Sequence, residues 1–405
     1  MRSGIVIQIV LALSFAWAVG AGCDQREQQE CRMANEYVVA KTTGTPRSLE
    51  VIRLDASRIA VFWSADRNVY YAVINNKGVP MSRPVQIVQP SVHPIAPKTW
   101  WHSKHQLVLD AVSLSPVRVS DNLVALAMLC HQNKGAAQVA TALVDMKNST
   151  VRWVTQTGQT GLFAKTVSAT FLDDTLLVGW QDSFTPKQSI ALSAVDIETG
   201  ETLTRTHIDA QTAAYGPKLA RNGNRALVLW TEVDGHQKTV RLYSAPIGRD
   251  LKRSQRHLVD TLELFDAAAD LTPYGSGFAA LYRDDRDEDH TEEFYFTVLD
   301  PTGRRTQPAA RISRADGPQG PRLSSGNSLL FSSAVRSYNN NYLVGFNRFD
   351  SAGTKTGGEF QVYADKCDFI RAGLASNGDN AILVYGENAD AGGRILAATI
   401  SCSAK

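Results

Sequence analysis

A short apolar phrase recurs along the chain. Each copy has a polar or Gly-rich turn, a run of apolar residues that usually ends in an aromatic, and then a polar loop. The copies are Arg58–Trp63, Asn122–Leu129, Thr175–Trp180, Arg225–Trp230, Gly277–Tyr282, Ser328–Ser333 and Ala381–Tyr385. Their last residues are 66, 51, 50, 52, 51 and 52 positions apart. Such regular spacing indicates a repeat architecture.

Each repeat has room for four strands. In the fourth repeat we predict strands at Lys218–Ala220, Arg225–Trp230, Thr239–Tyr243 and Gln255–Val259. The second of these is almost entirely apolar, which is expected of a strand covered on both faces. A repeated four-stranded unit of about 50 residues is typical of a propeller blade.

Turn signals follow the same spacing. The segments Asn75–Gly78, Asp196–Gly200, Asp300–Gly303 and Asp350–Gly353 each run from Asn or Asp to Gly, a pattern that closes hairpins. Proline at 116, 217 and 321 marks the first strand of three repeats, where a missing N–H costs little. We therefore predict an all-β fold, a seven-bladed β-propeller with four-stranded antiparallel blades.

The last repeat has only three strands before the chain ends. We expect Glu36–Lys41 to complete it as the outer strand, antiparallel to Arg394–Ile400, because an open ring would expose an edge. The propeller then spans residues 36–403. Cys31 and Cys402 would lie side by side, which predicts a disulfide that closes the ring. Two unpaired thiols are the alternative.

The N-terminus has the pattern of an exported protein. Arg2 precedes an apolar run, Ile5–Val19, and small residues then lead to Cys23, so we assign residues 1–22 to a signal peptide. The segment Val19–Cys23 resembles the lipobox of bacterial lipoproteins, although Gly20 departs from it. Cys23 would then carry lipid, and 23–35 would form a polar tether. Ordinary cleavage after Ala21, with Cys23 free or paired, is the alternative.

Residues 36–402 as a whole resemble the exported seven-bladed propeller lipoproteins of bacterial envelopes, at the level of architecture. The resemblance implies a location in the periplasm or cell envelope, attached to a membrane only through lipid. The formal net charge is +2, so there is no basic surplus for nucleic acid.

Candidate ligand-binding residues follow the repeated phrases. Asp182, Glu232, Asp284 and Glu387 each come two residues after the terminal aromatic and could bind a cation or a basic partner. Acids that bond neighbouring N–H groups are the alternative.

A second candidate is the acidic stretch after the fifth phrase. Asp285, Asp287 and Asp289 have the alternating spacing of a calcium loop, but His290 replaces the usual Gly. We therefore expect no cofactor and interpret the stretch as a charged hairpin tip, with calcium binding as the alternative.

The first two phrases are 66 positions apart, which is longer than the other spacings and predicts an insertion within Pro90–Ser115. It contains Trp100, Trp101, His102 and His105, and His131 follows on the next loop at the same face. The histidines have a plausible metal spacing, and the tryptophans could stack on a sugar. A cap that packs its own aromatics is the alternative.

No Gly-x-Ser-x-Gly, phosphate loop or Cys-x-x-Cys is present in the sequence. We therefore expect a non-catalytic envelope protein that recognises a protein or glycan through one propeller face. The alternatives are a polysaccharide hydrolase or lyase with the tryptophans as a clamp, and a metal-dependent adhesion or sensor module.

Overall fold

The computed structural model describes most of the chain after the N-terminal segment. It covers residues 30–403 except 45, 88–110, 132–135, 162–163, 184–187, 235–238, 253–254, 264–267, 287–292, 313–318, 326–329, 339–340, 351–352, 357–359, 365–370, 378–379 and 390–391. The signal peptide and Cys23 lie outside this range and stay predictions. Within it, no helix has the length and apolar character needed to span a bilayer.

The described chain is built from strands and turns. The strands are β1 (Glu30–Thr42), β2 (Ser48–Arg53), β3 (Arg58–Ala65), β4 (Asn68–Asn75), β5 (Val85–Ile87), β6 (Ala111–Arg118), β7 (Leu123–His131), β8 (Ala136–Asp145), β9 (Thr150–Gly161), β10 (Val167–Leu172), β11 (Thr175–Asp182), β12 (Ser189–Asp196), β13 (Thr202–Ile208), β14 (Ala213–Asn222), β15 (Arg225–Asp234), β16 (Thr239–Ile247), β17 (His257–Leu262), β18 (Ala269–Tyr274), β19 (Gly277–Asp284), β20 (Glu293–Leu299), β21 (Ala310–Arg311), β22 (Gln319–Ser325), β23 (Leu330–Tyr338), β24 (Asn341–Phe349), β25 (Phe360–Ala364), β26 (Arg371–Asn377), β27 (Asn380–Ala389) and β28 (Gly392–Ser403).

These strands pair into four-stranded antiparallel sheets, and the described residues form seven of them. The sheets are β2–β5, β6–β9, β10–β13, β14–β17, β18–β21 and β22–β25, each in chain order, and the sheet with the order β26-β27-β28-β1. The prediction of an all-β propeller with four-stranded antiparallel blades is confirmed.

The second strands form the core, as their apolar sequences require. In β15, the residues from Ala226 to Thr231 are all buried, with Trp230 only 2% exposed. Their side chains alternate between two apolar clusters, one shared with the preceding sheet and one with the following sheet. A strand covered on both faces cannot alternate apolar with polar residues, which is why the phrase is continuous in the sequence.

The first strands of the sheets contact one another in a cycle. Each of β2, β6, β10, β14, β18 and β22 contacts the next in the series, and β26 contacts β2. Side-chain oxygens on these strands accept backbone N–H groups of the next sheet: the N–H of Leu219 donates to Ser168 Oγ at 2.9 Å, and that of Leu323 to Asp270 Oδ2 at 2.8 Å. The first strands therefore surround the axis, and we call the space they enclose the channel.

Each sheet has two different ends. The hairpins after the first and third strands lie at one end, which we call the turn face. The second and fourth strands end at the opposite side, which we call the connection face, and Asp182, Asp234 and Asp284 lie there as the last residues of β11, β15 and β19.

The turn glycines lie at the interfaces between sheets. Gly78, Gly200, Gly303 and Gly353 have positive φ values of 83°, 76°, 89° and 79°, which confirms the predicted hairpins. A Cβ on Gly303 would lie 2.6 Å from Ser244 Oγ in the preceding sheet, and one on Gly78 would lie 3.5 Å from Ala397 Cβ of the last sheet. Glycine thus permits both the turn and close packing of neighbouring sheets.

The two ends of the chain share one sheet. β1 pairs antiparallel with β28, with Tyr37 opposite Ala397. This confirms the predicted outer strand, but the strand begins at Glu30, so residues 30–35 belong to β1 rather than to the tether. The reason is that β28 continues to Ser403, beyond Ile400, which is its last residue paired with β27. These additional residues of β28 pair with the start of β1.

The range in which the insertion is predicted, Pro90–Ser115, overlaps a strand at its end. β6 begins at Ala111, which pairs with Cys130 of β7. Residues 111–115 are therefore part of a first strand, and 90–110 lie outside the described residues.

Candidate functional site in the channel

Two β-bulges aim basic residues towards the channel. Register shifts occur between Tyr215 and Lys218 in β14 and between Gln319 and Arg322 in β22. Each shift contains Gly-Pro and is followed by Lys or Arg. Proline cannot donate to the strand ladder and Gly216 adopts a positive φ of 59°, so the strand is interrupted at this point. Bulges of this kind redirect a neighbouring side chain.

Three of the channel residues occupy equivalent positions. Glu50, Lys218 and Asp270 lie opposite Phe62, Leu229 and Leu281, each of which directly precedes the terminal aromatic of its second strand. They therefore lie at one level of the ring. Together with Arg322 they form what we call the channel layer.

One ion pair in this layer joins two sheets that are not neighbours. Arg322 Nη2 donates to Glu50 Oε1 at 2.6 Å, and the sheet of β26–β28 and β1 lies between the two in the ring. That sheet has Gly373 opposite Val384, at the equivalent position. Glycine is required at this position by close packing, because a Cβ on Gly373 would lie 2.4 Å from Val51 Cγ2 of β2.

The second ion pair of the channel layer, between Lys218 and Asp270, has a longer distance between its charged atoms. Lys218 Nζ is 3.8 Å from Asp270 Oδ1, whereas the other oxygen of Asp270 accepts the N–H of Leu323. Burial alone would lower the pKa of Arg322, but the carboxylates of Glu50 and Asp270 outweigh it and raise this pKa. Arg322 therefore interacts electrostatically with both acids of the layer.

Two of the acids predicted from the repeat are buried and paired. Glu232 is 4% exposed and accepts from Arg256 Nη1 at 2.7 Å and from Trp230 Nε1 at 3.1 Å. Asp284 is fully buried and accepts from the N–H of Glu263 at 2.8 Å and from Arg286 Nε at 2.6 Å. These are the contacts expected if the acids stabilise their surroundings, and a role in ligand binding stays a prediction.

Arg286 links the Asp284 cluster to the preceding sheet. Its guanidinium also pairs with Asp260 on β17 and lies 4.2 Å from the ring centroid of Tyr295. The hydroxyl of Tyr282 donates to the same Asp260. Burial, and then Asp260, raise the pKa of Tyr282, which keeps the phenol protonated. The cluster fixes the start of the acidic stretch that follows.

Asp182 differs from the other acids because its partner is exposed. His207 Nε2 lies 2.9 Å from Asp182 Oδ2, and the His207 side chain is 46% exposed. Both residues lie at strand ends on the connection face. The strands β11 and β13 thus place a histidine–carboxylate pair where solvent reaches it.

The remaining predicted residues are only partly described. Glu387 lies in β27 opposite Arg394, and His131 is the last residue of β7, opposite Ala137. Asp285 follows β19, whereas Asp287 and Asp289 lie outside the described residues. So do Trp100, Trp101, His102 and His105. Among the residues that the structure covers, no group of three His, Cys, Asp or Glu could hold a metal, and the metal sites stay predictions.

The channel layer was missed at the level of sequence. A signal was present, because Pro217 and Pro321 are each followed by a basic residue. The two prolines lie inside β14 and β22, at the bulges, and not at the start of these strands as predicted. Glu50 and Asp270 carry no such mark, since single acids are common in short strands that face solvent.

No protein-family model matches this sequence. No curated protein matches it either.

Solved structures resemble the chain in fold. An ulvan lyase, described as a new family of polysaccharide lyase, is 9% identical with a TM-score of 0.56, over 90% of this chain and 95% of the other. The endosialidase of phage phi92 is 9% identical with a TM-score of 0.50, over 91% and 69%. The β-propeller domain of a protease from Pyrococcus furiosus is 9% identical with a TM-score of 0.46, over 89% and 94%. The likeness to the ulvan lyase and to the endosialidase concerns the fold alone.

Proposed function

We propose that this chain is an exported protein, anchored by lipid on Cys23, whose sheets close into one seven-bladed ring that binds a protein or glycan of the cell envelope. Binding takes place on the connection face, and the ring does not act chemically on its partner. The polar segment after Cys23 holds the ring close to the membrane.

The observation that carries this proposal is the difference between the two faces. On the turn face, Asp196 and Asp300 accept backbone N–H groups of their own turns, and glycines pack these turns against the preceding sheet. On the connection face, by contrast, β5 ends at Ile87 and β19 ends at Asp284, and the side chain of His207 is exposed. Variable loops on a rigid frame are a common way to build a binding surface.

The position of β1 supports the same orientation. Glu30 lies opposite Ser403 at the end of β28, the third strand of its sheet, so the chain enters the ring at the turn face. Only six residues separate Cys23 from Glu30. A lipid on Cys23 would therefore place the turn face towards the membrane and leave the connection face free.

The test has two arms. Mass spectrometry of the chain purified from a bacterial envelope should find lipid on Cys23 and none on the variant Cys23→Ser. Capture from envelope extract and binding to a glycan array should be reduced by His207→Ala on the connection face. Lys252→Glu, on the turn face with a side chain 87% exposed, is the matched control and should bind normally. Equal binding by both variants would contradict the assignment of the face.

A polysaccharide-active enzyme is the second candidate, and the pair of His207 with Asp182 favours it. A histidine oriented by a carboxylate can act as a general base. Two of the similar folds are described as an ulvan lyase and an endosialidase, so acidic polysaccharides are the substrates to test. Activity that disappears in both His207→Ala and Asp182→Asn, with the fold intact, would replace the binding proposal by this one.

A further inference from the structure

We propose that the channel layer is a binding site for a carboxylate group, which Arg322 and Lys218 hold from opposite sides of Asp270. The argument rests on hydrogen-bond donors that the layer leaves unused. It concerns small ligands in the channel and is independent of what the connection face binds.

Arg322 has one donor without a partner. Its Nε is buried and has no hydrogen-bonding partner among the described residues, whereas Nη2 is engaged by Glu50. A buried donor of this kind normally finds an acceptor. A buried, charged donor that lacks an acceptor destabilises the fold, and a ligand oxygen would remove this cost.

The ammonium group of Lys218 also has hydrogen-bond donors that are not used. Its ammonium group carries three N–H donors, and the nearest described carboxylate oxygen is 3.8 Å away, beyond hydrogen-bonding distance. The Lys218 side chain is 19% exposed and that of Arg322 is 25% exposed, so both side chains are partly open to solvent. The matching Gly-Pro bulges of β14 and β22 place the two cations in the sheets on either side of Asp270.

The acids of the layer are already used. Asp270 accepts the N–H of Leu323 and faces Lys218, and Glu50 accepts from Arg322. The groups of the layer that lack a short hydrogen bond are donors, the Nε–H of Arg322 and the ammonium group of Lys218, so the ligand should supply oxygen acceptors. A carboxylate fits because its two oxygens can accept one charge-assisted hydrogen bond from each cation, one of them from the Nε–H of Arg322.

The experiment is a titration of the purified full chain with sodium acetate, sodium glucuronate and sodium phosphate, followed by NMR or calorimetry at constant ionic strength with chloride. We expect saturable binding of acetate and glucuronate. Arg322→Gln and Lys218→Gln should each weaken it about tenfold or more, because each removes a charge-assisted hydrogen bond. Arg118→Gln, at an exposed arginine of β6, is the matched control and should bind as the native chain does.

Arg322→Gln also leaves Glu50 without its partner, so it can fail to fold. Arg322→Lys keeps the charge but removes the Nε–H, and the double variant Glu50→Gln, Arg322→Gln removes both partners; each should bind acetate more weakly than the native chain. No saturable binding of either carboxylate, equal binding by the channel variants and Arg118→Gln, or tighter binding of phosphate would overturn the proposal.

Discussion

Arg322 donates from Nη2 to Oε1 of Glu50 at 2.6 Å although 272 residues separate them in the sequence. The pair joins β22, in the second-to-last sheet, to β2, in the first sheet. The sheet that contains β1 and β28 lies between these two in the ring. We therefore expect it to stabilise the ring independently of the closing sheet.

We expect a measurable coupling between these two residues. The side chains are 25% and 20% exposed, so water screens the pair only in part. A double-mutant cycle with Glu50→Gln and Arg322→Gln, measured by chemical denaturation, should give a coupling of about 1–3 kcal/mol. The pair Arg118–Asp121, with side chains 45% and 62% exposed, should give roughly 0–1 kcal/mol. Similar values for the two pairs would show that the channel pair does not stabilise the ring.

The turn glycines allow a matched comparison of packing and backbone strain. Gly303 has φ of 89° and a Cβ there would approach Ser244 Oγ and Leu227 Cδ1, whereas Gly223 has φ of 61° and nothing within 4 Å. Gly223→Ala should lower the free energy of unfolding by about 1–2 kcal/mol through strain alone. Gly303→Ala should add a packing cost of about 1–3 kcal/mol. An equal loss in the two variants, measured by urea denaturation, would argue against tight packing between sheets at this turn.

The disulfide between Cys31 and Cys402 remains a proposal that the backbone supports. The two residues are directly opposite in β1 and β28, and directly opposite residues in antiparallel strands have Cα atoms about 4.5–5.5 Å apart, within the range of a disulfide. The ladder of β27 with β28 ends at Ile400, so the cysteines lie in a two-stranded extension. An isolated two-stranded ribbon has little stability of its own, so a covalent link between its strands would stabilise it.

Non-reducing peptide mapping of the chain purified from an oxidising compartment should recover Cys31 and Cys402 in one linked peptide. Cys402→Ser should reduce the free energy of unfolding by about 2–4 kcal/mol. Reductant should lower the melting temperature of the native chain and leave that of the variant unchanged. Recovery of both residues as free thiols would rule the bridge out.

The aspartates of the turn face make stability depend on pH. Burial would raise the pKa of Asp300, but the hydrogen bonds from Thr302 and from the N–H of Arg304 outweigh it, and the pKa is lowered. A carboxyl group with a lowered folded pKa stabilises the fold above its unfolded value of about 3.9. This contribution is lost as the pH falls through the folded pKa.

Asp300→Asn tests this directly, because the first sheet has Asn75 at the same turn position with the same two backbone partners. We expect the variant to fold normally at neutral pH and to lose less stability on acidification, with a difference of about 0.5–1.5 kcal/mol. Asp121→Asn, at an exposed carboxylate, is the control. Identical pH profiles for the native chain and Asp300→Asn would contradict the role of the carboxylate.

The sequence by itself determined the elements that depend on local pattern. Continuous apolar phrases such as Arg225–Trp230 became second strands because only burial on both faces tolerates them. Asn or Asp followed by Gly became hairpins because the side chain caps the turn and glycine accepts positive φ. The outer strand from the N-terminus was also predictable, since a three-stranded last sheet would leave an unpaired edge.

Only the tertiary structure decided which residues meet in the channel and how long the closing strands are. Glu50 and Arg322 lie in different repeats, and their contact depends on the ring, which places β22 and β2 on either side of β26. The burial of Asp284 depends on Arg286 and on an N–H group of the preceding sheet. Such contacts join positions that are distant along the chain, so no local pattern of residues records them, and packing of whole sheets sets them.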